Sequence, residues 1–188
     1  MINRDNIIGK IVYGGSFIFD FARWLLLAII ILTLVHFFII SIFLVDGESM
    51  DPTLTTGEFC LLDKISYDFS QPQRGDVVVL NYPGDPQHNR YVKRVIGLPG
   101  ETVEVKNGSV FINNKILTEN YLPKDIFTPK DGVWNLSNVE YFTMGDNRLN
   151  SNDSRYFGPV EKRFLVGKVV WVFFPHFASI ITPSYNFQ

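Results

Sequence analysis

The sequence predicts a mainly β exported domain, its antiparallel strands coiled into a barrel-like sheet, preceded by one N-terminal transmembrane helix. Three observations predict this. A single uncharged apolar run, WLLLAIIILTLVHFFIISIFLV at 24–45, carries most of the excess that lifts mean hydropathy to +0.10. Several short runs rich in β-branched and aromatic residues follow, each bounded by turn signals. No amphipathic pattern longer than about ten residues occurs after Val45, which argues against helices interleaved with a sheet.

As a helix rising about 1.5 Å per residue, the apolar run reaches about 33 Å, enough to cross a hydrocarbon core of about 30 Å. It is longer than the apolar part of a cleavable leader, about 7–15 residues, and Val-Asp-Gly-Glu follows it where a leader has small residues. It is therefore read as an anchor that stays. Arg4, Lys10 and Arg23 precede the run; Asp46, Glu48 and Asp51 follow it, with no Lys or Arg until Lys64. By the positive-inside rule, 1–23 is a cytoplasmic segment, 24–45 the transmembrane helix and 46–188 an external β domain. The first segment mixes apolar and charged residues and suits an interfacial helix continuing into the span. The external part is long enough to bury a real core. Cys60 is the only cysteine, so no intrachain disulfide is possible, and it reads as a small core thiol. A net charge of -2 supplies no basic field, which excludes nucleic acid as an expected partner.

The expected strands lie in GEFCLLDKISY (57–67), DVVVLNY (76–82), RYVKRVIG (90–97), TVEVKNGSVFINNKIL (102–117), VEYFTMG (139–145) and VGKVVWVFF (166–174). Asn107-Gly108 is a strong type I′ hairpin signal, since both central residues of that turn need positive φ, and Asn113-Asn114 is a weaker one. Long loops are expected near 118–138 and 146–165.

The chemistry begins at Ser49, presented by Gly-Glu-Ser-Met-Asp-Pro just past the apolar run. Taken alone, this is also an ordinary juxtamembrane turn. A hydrolytic serine needs a base. His36 falls in mid-span, while His88, in a turn, and His176, after Pro175, read as surface residues. No G-x-S-x-G elbow, H-E-x-x-H or paired-cysteine metal site is present. A lysine can serve if it is neutral, yet at its ordinary pKa only about one in 2,500 is neutral at pH 7, so it must be buried. Lys93 meets that demand inside an apolar strand, where Tyr91, Lys93 and Val95 share one face and Val92, Arg94 and Ile96 the other. A lysine snorkelling from an edge strand is the alternative.

Four segments then occur in order: GESMDPTL, RGDVVVL, YVKRVIGLPGE and GDNRLNSNDSRYFG. Together, behind an anchor, they resemble the type I signal peptidases of bacteria, peptidase family S26, in the short single-anchor form. The resemblance covers about 46–167. It implies a serine endopeptidase that removes N-terminal signal peptides from exported preproteins, cutting after small residues at Ala-x-Ala sites, on the outer face of the cytoplasmic membrane. It implies Ser49 as nucleophile, Lys93 as general base and Ser151 as the hydroxyl that orients the lysine. Asp146, Arg148, Asp153 and Arg155 match loop residues with structural roles, and Arg94 is expected to be a structural partner of that loop. Where some members carry a serine hydroxyl as oxyanion donor, this chain has Gly47. The oxyanion hole is therefore expected from backbone N–H groups of the Gly47 region, including that of Ser49. No metal or organic cofactor is implied; preproteins and membrane lipid are the implied partners.

Met50, Leu54, Trp134 and WVFFPHFASIITP could form an apolar surface leaning into lipid, or could equally be core. Two rival readings are a self-cleaving Ser/Lys repressor, which would need a DNA-binding module, and a non-catalytic anchored β domain that binds exported chains.

Overall fold

The computed structural model describes residues 4–82, 84–86, 89–124 and 126–187, and the chain divides into a helical unit up to Ile39 and a β unit from Ile40 onward. Helix α1 (Arg4–Phe38) is continuous. Within it, Ile18–Phe38 is long and apolar enough to cross a membrane, and none of that window is buried against protein. Residues 4–23 are thus helical and continuous with the apolar stretch.

The expected helix at 24–45 is corrected at its C-terminal end. The helix stops at Phe38, and strand β1 (Ile40–Leu44) occupies the rest of the run. Hydropathy merges the two because ISIFL is as apolar as the helix before it. Pairing is what separates them: Ile40 lies opposite Asp63 and Leu44 opposite Phe59 on β2 (Phe59–Asp63). Ser49 therefore follows a strand rather than the helix end.

The β unit contains two antiparallel sheets. The remaining strands are β3 (Val77–Asn81), β4 (Arg90–Gly97), β5 (Thr102–Lys106), β6 (Ser109–Ile112), β7 (Lys115–Thr118), β8 (Gly132–Asn135), β9 (Glu140–Met144), β10 (Val160–Glu161), β11 (Leu165–Phe174), β12 (Ala178–Ser179) and β13 (Asn186–Phe187). The larger sheet runs β1-β2-β11-β3-β4-β9-β10, with β12 added to β11. The smaller runs β13-β7-β6-β5-β8. All six runs read as strands contain strands, and the fold is mainly β with curled antiparallel sheets, as expected. β8 arises inside the stretch expected as loop, because Gly132–Asn135 has no apolar alternation of its own and takes its strand geometry from pairing with β5.

The turns follow residue chemistry. Asn107 and Gly108 have φ of 51° and 79°, the left-handed pair that a type I′ hairpin between β5 and β6 requires. Asn113 and Asn114, at 51° and 66°, do the same between β6 and β7.

Each face of the larger sheet buries a separate cluster. Val45, Met50, Leu54, Cys60, Leu62, Val77, Val79, Val169 and Val172 pack on one side, and Tyr67, Val78, Leu80, Val95 and Tyr141 on the other. Cys60 is fully buried, and burial pushes its thiol up to about 12, as for an inert core residue. Met50 and Leu54 are likewise core, which settles those two against the lipid-facing alternative, and Trp134 packs 4.8 Å from the Phe142 ring. Exposed apolar residues of the β unit include Ile42 and Leu44 on β1, Phe59 on β2, Trp171 and Phe174 on β11, and Phe177 and Ile181 beyond it, with others, such as Phe69 and Leu149, elsewhere on the unit.

Candidate active site

The turn after β1 is tied down from both ends. Gly47, at φ +114°, adopts a backbone that other residues rarely take, and its N–H donates to Thr56 Oγ1 at 3.1 Å. Asp51 N–H donates to the Glu48 carbonyl and Leu54 N–H to the Met50 carbonyl. Met50 and Leu54, buried in the core below, fix the far side. Between these anchors stands Ser49.

Strand β4 brings Lys93 to it. Val78 is the cross-strand partner of Lys93, placing the lysine in the sheet interior rather than at its rim. Lys93 is 3% exposed, and its Nζ is hydrogen bonded to Ser49 Oγ at 2.7 Å. Burial lowers the lysine pKa from 10.5 to about 8, with the nearby Asp153 and Asp146 opposing and Arg155 assisting. At pH 7 the handicap of the neutral amine thus falls from about 4.8 to about 1.4 kcal/mol. The Tyr91 ring lies 5.4 Å from Nζ.

The Gly-Asp-Asn-Arg loop closes the other side. Its buried charges are paired in forks: Arg94 Nε and Nη2 donate to Asp146 at 2.8 and 2.7 Å, and Arg155 does likewise to Asp153 at the same distances. Arg148 donates to Glu119 at 2.7 and 2.5 Å. Planar guanidinium against carboxylate is the geometry that compensates burial best. Arg94 also donates to the Gly75 carbonyl and to Thr53, and lies 4.2 Å from the Tyr121 ring centre. Gly145 carries no Cβ; one there would collide with the Ser151 hydroxyl and the Ser49 carbonyl, so only glycine lets the loop seat against the turn that carries Ser49.

Two sequence expectations fare differently. The Ser151 hydroxyl is buried beside Gly145 but has no hydrogen-bond partner among the described residues, so no bond to Lys93 stands behind its lysine-orienting role. Its placement is set by the close approach at Gly145. The Gly47 N–H is taken up by Thr56 and is not a free oxyanion donor, whereas the Ser49 N–H has no acceptor among the described residues.

Of the histidines, His36 lies on α1, and His176 is exposed with Nε2 3.9 Å from Glu58. His88 lies outside the described residues. Among the described residues no cluster of His, Cys, Asp and Glu is placed to hold a metal ion.

Sequence reading missed Glu119 and Tyr121, which lie in a stretch without motif, and Thr56, whose cap of Gly47 has no sequence signal. It also passed over Asn147, although that residue stands inside a recognised motif. Beside Ser49 and Lys93 runs a groove of about 250 Å³, walled by β1 and by the start of β4, with Val45, Met50, Leu62, Val79 and Val92 among its lining. A serine, a depressed lysine amine at hydrogen-bond distance and an apolar groove can together carry out acyl transfer.

Residues 18–174 match the family model described as signal peptidase, peptidase S26. Signal peptidase I P of Bacillus subtilis subsp. natto is 41% identical over 85% of this chain and 91% of its own. Signal peptidase I S of Bacillus subtilis strain 168 is 39% identical over 84% and 90%. A solved signal peptidase I structure from Enterococcus faecalis is 34% identical, covers 53% of this chain and 97% of its own, and has a TM-score of 0.46. The chain belongs to the signal peptidase family, peptidase S26.

Proposed function

We propose that this membrane-anchored serine endopeptidase works through a Ser49/Lys93 dyad, cutting signal peptides from exported preproteins after small residues. The observation that carries the reading is the 2.7 Å contact between Ser49 Oγ and a buried Lys93 Nζ that no carboxylate among the described residues hydrogen bonds. Neutral Lys93 takes the proton of Ser49 as Oγ attacks the scissile carbonyl. The tetrahedral oxyanion is met by the Ser49 N–H. Collapse breaks the peptide bond, and the leaving amine receives the proton from Lys93. Water, deprotonated by the same amine, then attacks the Ser49 ester, releasing the signal peptide's new carboxylate and restoring the serine.

The segment before the scissile bond adds as an extended strand in the groove beside β1. Both partners are held at one bilayer, which raises their effective concentration. The charge asymmetry around the apolar run supports a cytoplasmic N-terminus, a β domain outside and residence in the bacterial cytoplasmic membrane. Exposed Ile42, Leu44, Phe59, Trp171, Phe174 and Phe177 support contact with lipid. Asp146, Arg148, Asp153, Arg155 and Arg94 hold the loop and transfer no proton. The Ser151 hydroxyl packs against the loop without bonding the amine.

The test is incubation of detergent-solubilised protein with a preprotein bearing an Ala-x-Ala site, reading the new N-terminus by mass spectrometry. Wild type is expected to cut after the small residue, and Ser49→Ala and Lys93→Ala to leave the preprotein intact. Binding without cutting by a folded wild type would instead identify an anchored binding module.

A further inference from the structure

Asn147 touches neither member of the dyad through its side chain, yet it makes two bonds to the nucleophile turn. Its Nδ2 donates to the Glu48 carbonyl at 3.1 Å, and its backbone N–H donates to the Ser49 carbonyl at 3.1 Å. Its Oδ1 accepts from the Asn150 N–H at 3.2 Å, which fixes which end of the amide is the donor. Asn150 Nδ2 in turn reaches the Glu48 carboxylate at 3.2 Å.

The Glu48 carbonyl and the Ser49 N–H belong to one peptide unit. That unit is planar and trans, so its C=O and N–H point in opposite directions. Holding the carbonyl from the loop side therefore aims the N–H away from Asn147, and Ser49 and Gly47 both line the groove. A hydrogen bond accepted by the carbonyl also polarises the N–H on the far side of the same unit. The neighbouring donor is already spent, since Gly47 N–H is bonded to Thr56 Oγ1. Position 47 carries no side-chain hydroxyl, and the Ser49 N–H, without an acceptor among the described residues, is left to face the developing charge.

We propose that Asn147 is a positioning residue that orients and polarises the Ser49 N–H as the oxyanion donor of this chain, an inference that rests on the dyad reading above. It acts on the tetrahedral state and not on the ground state. Removing it therefore lowers kcat and leaves KM unchanged. Deleting an oxyanion donor outright lowers kcat by about 10²–10³; losing only its orientation is expected to lower it by about 10- to 100-fold.

The experiment uses the full-length protein in detergent and a quenched fluorescent peptide with small residues first and third before the scissile bond. Asn147→Ala and Asn147→Leu are compared with wild type, the leucine keeping the shape of the amide without its donor. Each variant is titrated with a peptide boronate, which forms a tetrahedral adduct on the serine, and with the cleaved product peptide, which does not. Expected are a lower kcat with unchanged KM, boronate affinity weakened by the same factor, unchanged product affinity and an unshifted midpoint of the pH–rate profile. If the alanine variant does not fold, the leucine variant decides. An unchanged kcat in a folded variant, or a loss that falls on KM and product binding with boronate binding intact, overturns the proposal. A wild type that cuts nothing and forms no boronate adduct overturns the dyad reading first, and this inference with it.

Discussion

Lys93 and Arg94 are neighbours on β4, point to opposite faces and are both buried, at 3% and 1% exposure, yet their charges are handled in opposite ways. Burial alone would lower both pKa values. At Arg94 the Asp146 fork overrides burial and raises the pKa above its ordinary value, with Tyr121 and Tyr185 adding to it. At Lys93 no carboxylate among the described residues is within hydrogen-bond reach, burial dominates, and the amine falls to about 8. One residue along a strand separates a cation locked on from one poised to switch off. The anion placed beside each cation, more than depth, decides its state.

The largest break in this contrast is chemical. Ser49→Ala and Lys93→Ala should each lower kcat/KM by at least about 10⁴-fold on the quenched peptide, as for other members of a unit that acts together. A Lys93→Ala enzyme that kept wild-type rates would remove the meaning of the poised amine.

The next largest is structural. Asp146→Ala leaves Arg94 buried without its carboxylate and should destabilise the β domain by about 3–5 kcal/mol in a urea melt. Replacing both partners together, Arg94→Met with Asp146→Leu, should recover most of that loss. If the single change lowers stability by less than about 1 kcal/mol, Arg94 is compensated by its other partners.

Lys93→Met tests the other side with the opposite sign. At pH 7 it should abolish cleavage yet stabilise the fold by about 1–3 kcal/mol, because the folded wild type holds its lysine proton less tightly than the unfolded chain. Since the folded pKa is lowered, the unfolded state binds more protons between about 8 and about 10.5, and wild-type stability rises with pH across that window. The methionine variant should lose that rise. By the same depression, kcat/KM of the wild type should climb with pH to a midpoint near 8, a value read from the pH–rate profile of the free enzyme.

The smallest effect is expected where neither cation nor anion is buried. Arg163 and Glu161 pair at 2.9 Å with side chains 71% and 40% exposed, and Glu161→Gln should change stability by no more than about 0.5 kcal/mol. A larger loss would show that exposure is the wrong divider between these ion pairs.

Legibility followed the range of each interaction. The hairpin turns could be read from Asn107-Gly108 and Asn113-Asn114, because positive φ is a property of the residues in the turn. Most strands could be read from alternation, and Lys93 stood out because an ionisable group in an apolar strand is locally anomalous. β1 could not, since ISIFL suits a membrane helix and a strand equally until β2 pairs with it. Ser151 was legible as a motif member, but the missing hydrogen bond to Lys93 was not, because it depends on how closely Gly145 lets the loop approach. Glu119 and Tyr121 had no local signal at all.

By itself, the sequence determined an apolar helix long enough for a membrane, a mainly β unit after it, and a serine and a lysine carried by motifs of one family. These are properties of composition, period and residue order, which exist before the chain folds. Only the tertiary structure decided where the helix gives way to a strand, which arginine meets which carboxylate, and that Thr56 takes the Gly47 N–H while Asn147 holds the Glu48 carbonyl. Those contacts join residues up to 99 positions apart, and they exist only once burial has removed water as the competing partner and left the protein's own groups to satisfy one another.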